Sequence, residues 1–251
     1  MHRTARSLWL AALLSVGLCA HAAELSVFSA GAVKPALSAL VDNYQKASGH
    51  TLVVEYAPVG VLLKRLAEGA KPDVLIVTAD VMDEVQRKGW ASPGSAAALG
   101  SVGVGVAIRE GAKAPDISSP EALKQAILSA KSITYIDPAK GTSGKHFAEV
   151  LQRLGIADQV KGKTVLGETG YVVEPVARGE VELGFQQITE ILPVQGATLV
   201  GPLPAPLQKV TTYVATPSSQ ARDTAATKDF IAFLGSPSAQ QVFRQKGFAA
   251  P

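Results

Sequence analysis

The chain has 251 residues, of which 47% are hydrophobic and 18% charged, with a formal net charge of +3 at pH 7. That length and composition suit a well-cored globular protein of one large or two small domains. They exclude a basic nucleic-acid footprint, and a lone cysteine excludes a disulfide framework.

The first 22 residues read as a secretory signal peptide. Arg3 and Arg6 precede the apolar run LWLAALLSVGLCA, and Ala20-His21-Ala22 forms a small-x-small cleavage site. The apolar run is too short to span a membrane. A lipoprotein signal at Cys19 is the alternative, but Leu18 is large where lipid-processing sites want a small residue. Cleavage after Ala22 is therefore expected, giving a soluble periplasmic protein. Losing Arg3 and Arg6 takes 24 Lys+Arg to 22, against 21 Asp+Glu, a net charge of +1. The mature chain keeps no cysteine and two histidines, His50 and His146. A thiolate nucleophile is excluded, and neither a metal site nor a cofactor is expected.

After the signal, strands alternate with amphipathic helices. LSVFSA is a strand; Val33, Ala36, Leu37, Leu40, Val41 and Tyr44 then recur at helical spacing up to a stop at Gly49. TLVVEY, VLLKRLAEG, DVLIVT and VMDEVQRKG continue the alternation, which predicts a parallel sheet with right-handed crossovers. LGSVGVGVAI is a strand whose glycines permit close packing. SSPEALKQAILSA is a helix with Ser119 as N-cap and Pro120 at its first position.

A second α/β series follows: strand SITYI, a helix over residues 143–154, strand TVL, helix VVEPVARG and strand ELGF. The end combines a β-rich run, KVTTYVAT, with helices AATKDFIAFLG and SAQQVFRQKG. The layout predicts residues 23–108 plus 211–251 as one lobe and 109–210 as the other. Two short crossovers, near Ala107–Glu110 and Lys209–Ala215, would make a hinge and a cleft. Ligands in open α/β sheets bind at the carboxyl ends of strands.

The stretch DPAKGTSGKHF, Asp137 to Phe147, lies in the second series. A phosphate loop needs G-x-x-x-x-G-K-[ST], and here Ala139 and His146 break two of the four fixed positions. What remains is a helix N-terminus, whose free N–H groups attract anions.

Four stretches in order carry a resemblance: VFSAGAVKPAL, EGAKPDVLIVTAD, DPAKGTSGKHFAEVLQRLG and VARGEVELGF. In the third, Asp137, Pro138, Gly144, Leu151, Gln152, Leu154 and Gly155 fit without a gap. On these motifs the chain resembles periplasmic solute-binding proteins of the molybdate-binding (type II) family, over residues 24–248. The resemblance implies a two-lobed α/β fold with mixed sheets, hinged by two crossovers and closing over a small anion. It also implies an ABC-type membrane permease as partner and a monomeric state. VARGEVELGFQQITE and LVGPLPAPLQK are similar to a branch of that family that includes a periplasmic aconitate isomerase.

Carried over residue by residue, the resemblance places the ligand at Ala30, Gly31 and Ala32, at Gly60 or Val61, at Ser143 and Gly144, at Thr169 and Gly170, and at Gln187. The family has hydroxyl groups where this chain has Ala32, Gly60 or Val61, and Gln187. Oxygens of a dehydrated oxyanion left unpaired would cost about 1–3 kcal/mol each. The expected ligand is therefore an organic (poly)carboxylate, with molybdate or tungstate as the alternative. Lys145, His146, Tyr171 and Gln186 are the added side chains expected to suit a larger ligand. If the chain is an isomerase, His146 is the candidate proton carrier. Glu168 and Glu174 are weaker candidates for a base, and His50 reads as a surface turn residue.

Overall fold

The computed structural model describes residues 22–250. The expected signal peptide and Cys19 lie outside the described residues, Ala22 excepted. The chain opens with β1 (Glu24–Ala30), α1 (Lys34–Ser48), β2 (Thr51–Ala57), α2 (Val59–Ala67), β3 (Val74–Thr78) and α3 (Met82–Arg87). The long strand β4 (Ala97–Arg109) leads to α4 (Pro120–Ser129), β5 (Ile133–Ile136), α5 (Thr142–Arg153), α6 (Ala157–Val160) and β6 (Thr164–Gly167). α7 (Glu174–Ala177), β7 (Leu183–Gln187), α8 (Ile188–Ile191) and β8 (Ala197–Pro202) complete that series. β9 (Val210–Pro217), α9 (Thr224–Leu234) and α10 (Pro237–Gln245) close the chain.

The strands form one mixed ladder, β2-β1-β3-β9-β4-β7-β5-β6, with β8 also on β4. β1 pairs in parallel with β2 and β3, and β5 with β6 and β7, while β9 and β4 run antiparallel to their neighbours. β4 serves both halves. Its first part, Ala97 to Gly103, pairs with β9; its second, from Val104 onward, pairs with β7 and β8.

The apolar core divides at the same place. Leu99 and Val102 belong to a cluster with β1, β3, α1, α2, α9 and α10, whereas Val104 and Val106 pack with Leu123, Phe147 and Phe185. The change of core thus falls at Gly103, several residues ahead of the stretch expected to form the first crossover. Gln208, on the returning crossover, clamps this point. Its amide donates to Val104 O at 2.8 Å and accepts from Val104 N at 3.0 Å. A Cβ on residue 103 would lie 2.8 Å from the Gln208 amide nitrogen, so glycine lets the clamp close.

Helix ends follow local chemistry. α4 is capped by Ser119, α9 by Asp223 and α10 by Ser236, each accepting from backbone N–H groups of the first turn. α1 stops at Gly49, whose positive φ of 74° admits the left-handed cap that other residues resist. The helix expected over VVEPVARG shortens to the four residues of α7. β8 and α8 add to the expected pattern, and β8 ends in a Gly-Pro pair that weakens its strand signal.

One ion pair, its carboxylate buried and its guanidinium exposed, ties the first core together. Asp73 is fully buried and accepts from Ser26 N at 2.8 Å, and from Arg222 N and Nη2 at 2.8 Å each. Burial alone would raise its pKa, but the Arg222 and Ser26 hydrogen bonds outweigh it and hold the carboxyl below the ordinary aspartate range. The clamp's contribution is present at neutral pH and is lost as pH falls through that depressed value. Asp73→Ala should lower the unfolding free energy by about 1–3 kcal/mol in urea titrations at pH 7, because the Ser26 and Arg222 N–H groups lose their acceptor. A loss under about 0.5 kcal/mol, the scale of an ordinary surface change, would refute the clamp.

Candidate functional site

Between the two cores lies a cavity of about 210 Å³. Three helices begin at its wall: α1, preceded by the tight turn Gly31–Val33; α2, at Ala57, Pro58 and Val59; and α5, at Gly141, Thr142 and Ser143. None of the three has a side-chain cap, in contrast to α4, α9 and α10. Their uncapped starts and positive dipole ends converge from opposite sides on one space, an arrangement that favours an anion, although on α2 the Gly60 N–H is taken by Lys140 O and the Val61 N–H by Pro58 O.

The rest of the wall is mixed. Ala30, Ala32, Val59 and Ile136 supply apolar surface. Lys34 brings a cation to the rim, its Nζ 5.3 Å from the Tyr171 ring and 5.7 Å from the Tyr56 ring. The Tyr56 hydroxyl is 3.1 Å from Ser38 Oγ, and burial raises its pKa. Glu174, Gln187, Glu190 and Tyr213 complete the lining.

Glu190 is the most perturbed acid of the cavity. Burial pushes its pKa up to about 8, partly offset by a hydrogen bond from Gln186. A Cβ on residue 31 would sit 2.8 Å from its Oε1, so Gly31 is the notch that receives this carboxyl from the opposite lobe. Burial first, then Glu190, raises the pKa values of Tyr171 and Tyr213.

Of the residues expected at the ligand, Ala30, Gly31, Ala32, Ser143, Thr169, Gly170, Tyr171 and Gln187 line the cavity. Gly60, Val61, Gly144, Lys145, His146 and Gln186 do not. Gly144 packs on β5 instead: a Cβ there would meet Ile136 O at 1.9 Å, so glycine seats α5 against the strand end. Lys145 is exposed, about 200° around the helix from Ser143 at 100° per residue. His146 is buried, about 60° around the helix from Ser143 at 100° per residue, and its Nε2 donates to Leu207 O at 2.8 Å. Burial lowers its pKa. Its ring is a strut between α5 and the turn at 205–207 and is not part of the cavity lining.

Gln186 braces the loop after β6, donating from Nε2 to Gly170 O at 2.9 Å. Glu168 pairs with Lys140 at 3.1 Å and lies outside the lining, whereas Glu174 is part of it. His50 accepts from Ala23 N at 3.0 Å. Sequence reasoning missed Lys34, Tyr56, Glu190 and Tyr213. The signal for Lys34 was its place at the start of α1, beside the expected Gly31 and Ala32.

Gly60 has a different duty from the expected one. Its N–H donates to Lys140 O at 3.0 Å, joining the start of α2 to the segment before α5. A Cβ there would lie 2.8 Å from Lys140 O and 3.1 Å from Ala139 O. The lobes meet because residue 60 has no side chain.

The fold and the cleft define a two-lobed α/β solute-binding protein. The chain belongs to the bacterial extracellular solute-binding protein family, whose model matches residues 25–249. It is 30% identical over 228 residues to an aconitate isomerase of Pseudomonas sp., covering 89% of this chain and 86% of that protein. It is 28% identical over 250 residues to the molybdate-binding protein of Haemophilus influenzae, covering 95% and 96%. The periplasmic molybdate-binding protein of Azotobacter vinelandii superposes with a TM-score of 0.77 at 19% identity, covering 90% of this chain and 99% of that one. This last likeness concerns the fold alone.

Gly60→Ala should hold the lobes apart. Small-angle scattering of the unliganded variant is expected to give a radius of gyration larger than the wild type's, and above the ~17 Å of a compact chain this long. Identical scattering curves would show that residue 60 does not gate the approach.

Proposed function

We propose that the protein is the periplasmic solute-binding component of an ABC-type uptake system, exported by a cleavable signal and acting as a monomer. Its ligand is a small organic acid with more than one carboxylate. The observation that carries this reading is the convergence of three uncapped helix starts and Lys34 on a cavity whose intervening walls are apolar. Separate carboxylates take separate helix starts, and the hydrocarbon between them rests on Ala32, Val59 and Ile136. A bare tetrahedral oxyanion needs donors on all sides, and Ala32 offers no side-chain donor.

Thermal-shift and calorimetric titrations with trans-aconitate, citrate, molybdate and tungstate test the reading, because a ligand of the folded state raises its apparent stability. The carboxylates should raise the unfolding midpoint by several degrees and the metal oxyanions should not. Lys34→Met should weaken carboxylate binding by about tenfold, equivalent to ~1.4 kcal/mol. A large shift with molybdate and none with any carboxylate would reverse the assignment.

The 30% identity to an aconitate isomerase supports a second reading, that the scaffold also interconverts trans- and cis-aconitate. The wild-type protein incubated with trans-aconitate should then yield cis-aconitate by chromatography. Binding without turnover removes this reading and leaves the first intact.

A further inference from the structure

Glu190 is 9% exposed, lines the cavity and has no basic side chain within salt-bridge distance among the described residues. Lys34, the cation of the same cavity, stays over the rings of Tyr56 and Tyr171. A buried carboxylate without a counter-charge is expensive, and the usual outcome is that the group keeps its proton. Near it, Gln186 and Gln187 each leave a buried side-chain carbonyl oxygen without a hydrogen-bond partner, and Gln187, 2% exposed, is part of the cavity wall. Both unpaired oxygens are acceptors, and a carboxyl that keeps its proton adds a donor to this wall.

The other titratable groups that face it come from several elements, beginning with Tyr56 on β2, whose pKa burial raises. β9 contributes Tyr213 and the loop before α7 contributes Tyr171; burial raises both phenols from their ordinary range. α1 contributes Lys34 and α7 contributes Glu174. β7, β8 and the turn at Gly31–Val33 carry no titratable residue, and on β4 the sole such group is Arg109, whose guanidinium lies against Gly179.

We propose that Glu190 meets the ligand as an uncharged carboxylic acid and donates its proton in a hydrogen bond to a ligand carboxylate, which makes Glu190 a specificity-determining residue. The inference rests on the carboxylate reading above. No covalent bond changes; one proton is shared between two carboxyl groups. Affinity then follows the protonation of Glu190. It is full while the residue holds its proton, and it falls as pH rises through about 8, where two anions face each other in a closed site.

Calorimetric titration of trans-aconitate at pH 6, 7, 8 and 9 tests this, on the wild type and on Glu190→Gln. Wild-type affinity should be level from pH 6 to 7 and weaken several-fold, up to about tenfold per pH unit, by pH 9. Repeating the pH 9 titration in two buffers of different ionisation enthalpy should show close to one proton taken up per ligand. Glu190→Gln, which keeps a donor at every pH, should bind with level affinity from pH 6 to 9. A level wild-type profile without proton uptake would overturn the inference, as would a Glu190→Gln profile as steep as the wild type's. The proton-uptake measurement needs no variant, so a poorly folded mutant does not rescue the idea. Absence of trans-aconitate binding at pH 6 would instead overturn the carboxylate reading, and this inference with it. Binding at pH 6 with a level profile overturns the Glu190 role alone.

Discussion

The geometry of the cleft depends on one strand being shared by two cores. β4 is hydrogen-bonded throughout, yet its first half answers to β9 and its second to β7 and β8. The halves are joined by the backbone of β4, which changes partners between Gly103 and Val104, and the side chains on either side of Gly103 are committed to different apolar clusters. The Gln208 amide fixes the second crossover to the same residue, Val104. Movement of one lobe against the other is therefore confined to a short segment at one end of the cleft, the situation in which hinge closure replaces general loosening.

On the proposed reading, the cavity draws its anion with little formal charge. Uncapped helix starts provide oriented partial charges that need no side-chain ordering when a ligand arrives, so less entropy is lost than with flexible lysines or arginines. The contrast with the capped helices is chemical. Ser119, Asp223 and Ser236 occupy N–H groups of their own helices, whereas Gly141, Pro58 and Val33 at the equivalent places supply no side-chain cap. Glu190 works in the other sense: a negative charge there would oppose the helix starts, and its burial is what keeps it from being one.

Much of the fold was legible in the sequence because its signals are periodic. Alternating apolar runs and helical spacings predicted most strands and longer helices, and the glycine stops and the Ser119 cap marked their ends. α8 was not legible: four residues cannot show a 3.6-residue period, and with α8 went Glu190. At the site, backbone-donor positions are local, so the start of α5 could be read from DPAKGTSGKHF. The facing of its neighbours could not. Lys145 follows Ser143 by two residues, an offset that turns it away on a helix, whereas His146, three residues on, stays near that face and is drawn instead to Leu207 O, a contact 61 residues away in sequence. The Asp73–Arg222 pair joins residues 149 apart, a separation at which no local pattern operates.

The bond from Gly60 N–H to Lys140 O runs from main chain to main chain. Neither residue's side chain sets its length, so the shut state is gauged by the backbone alone. Such a gauge reads fit rather than chemistry. A ligand of the right charge but excess bulk would still be drawn in by the helix starts, yet would leave this one bond unmade. Selection would thus occur in two stages, attraction at the walls and measurement at the lip, with the second indifferent to what the first admits.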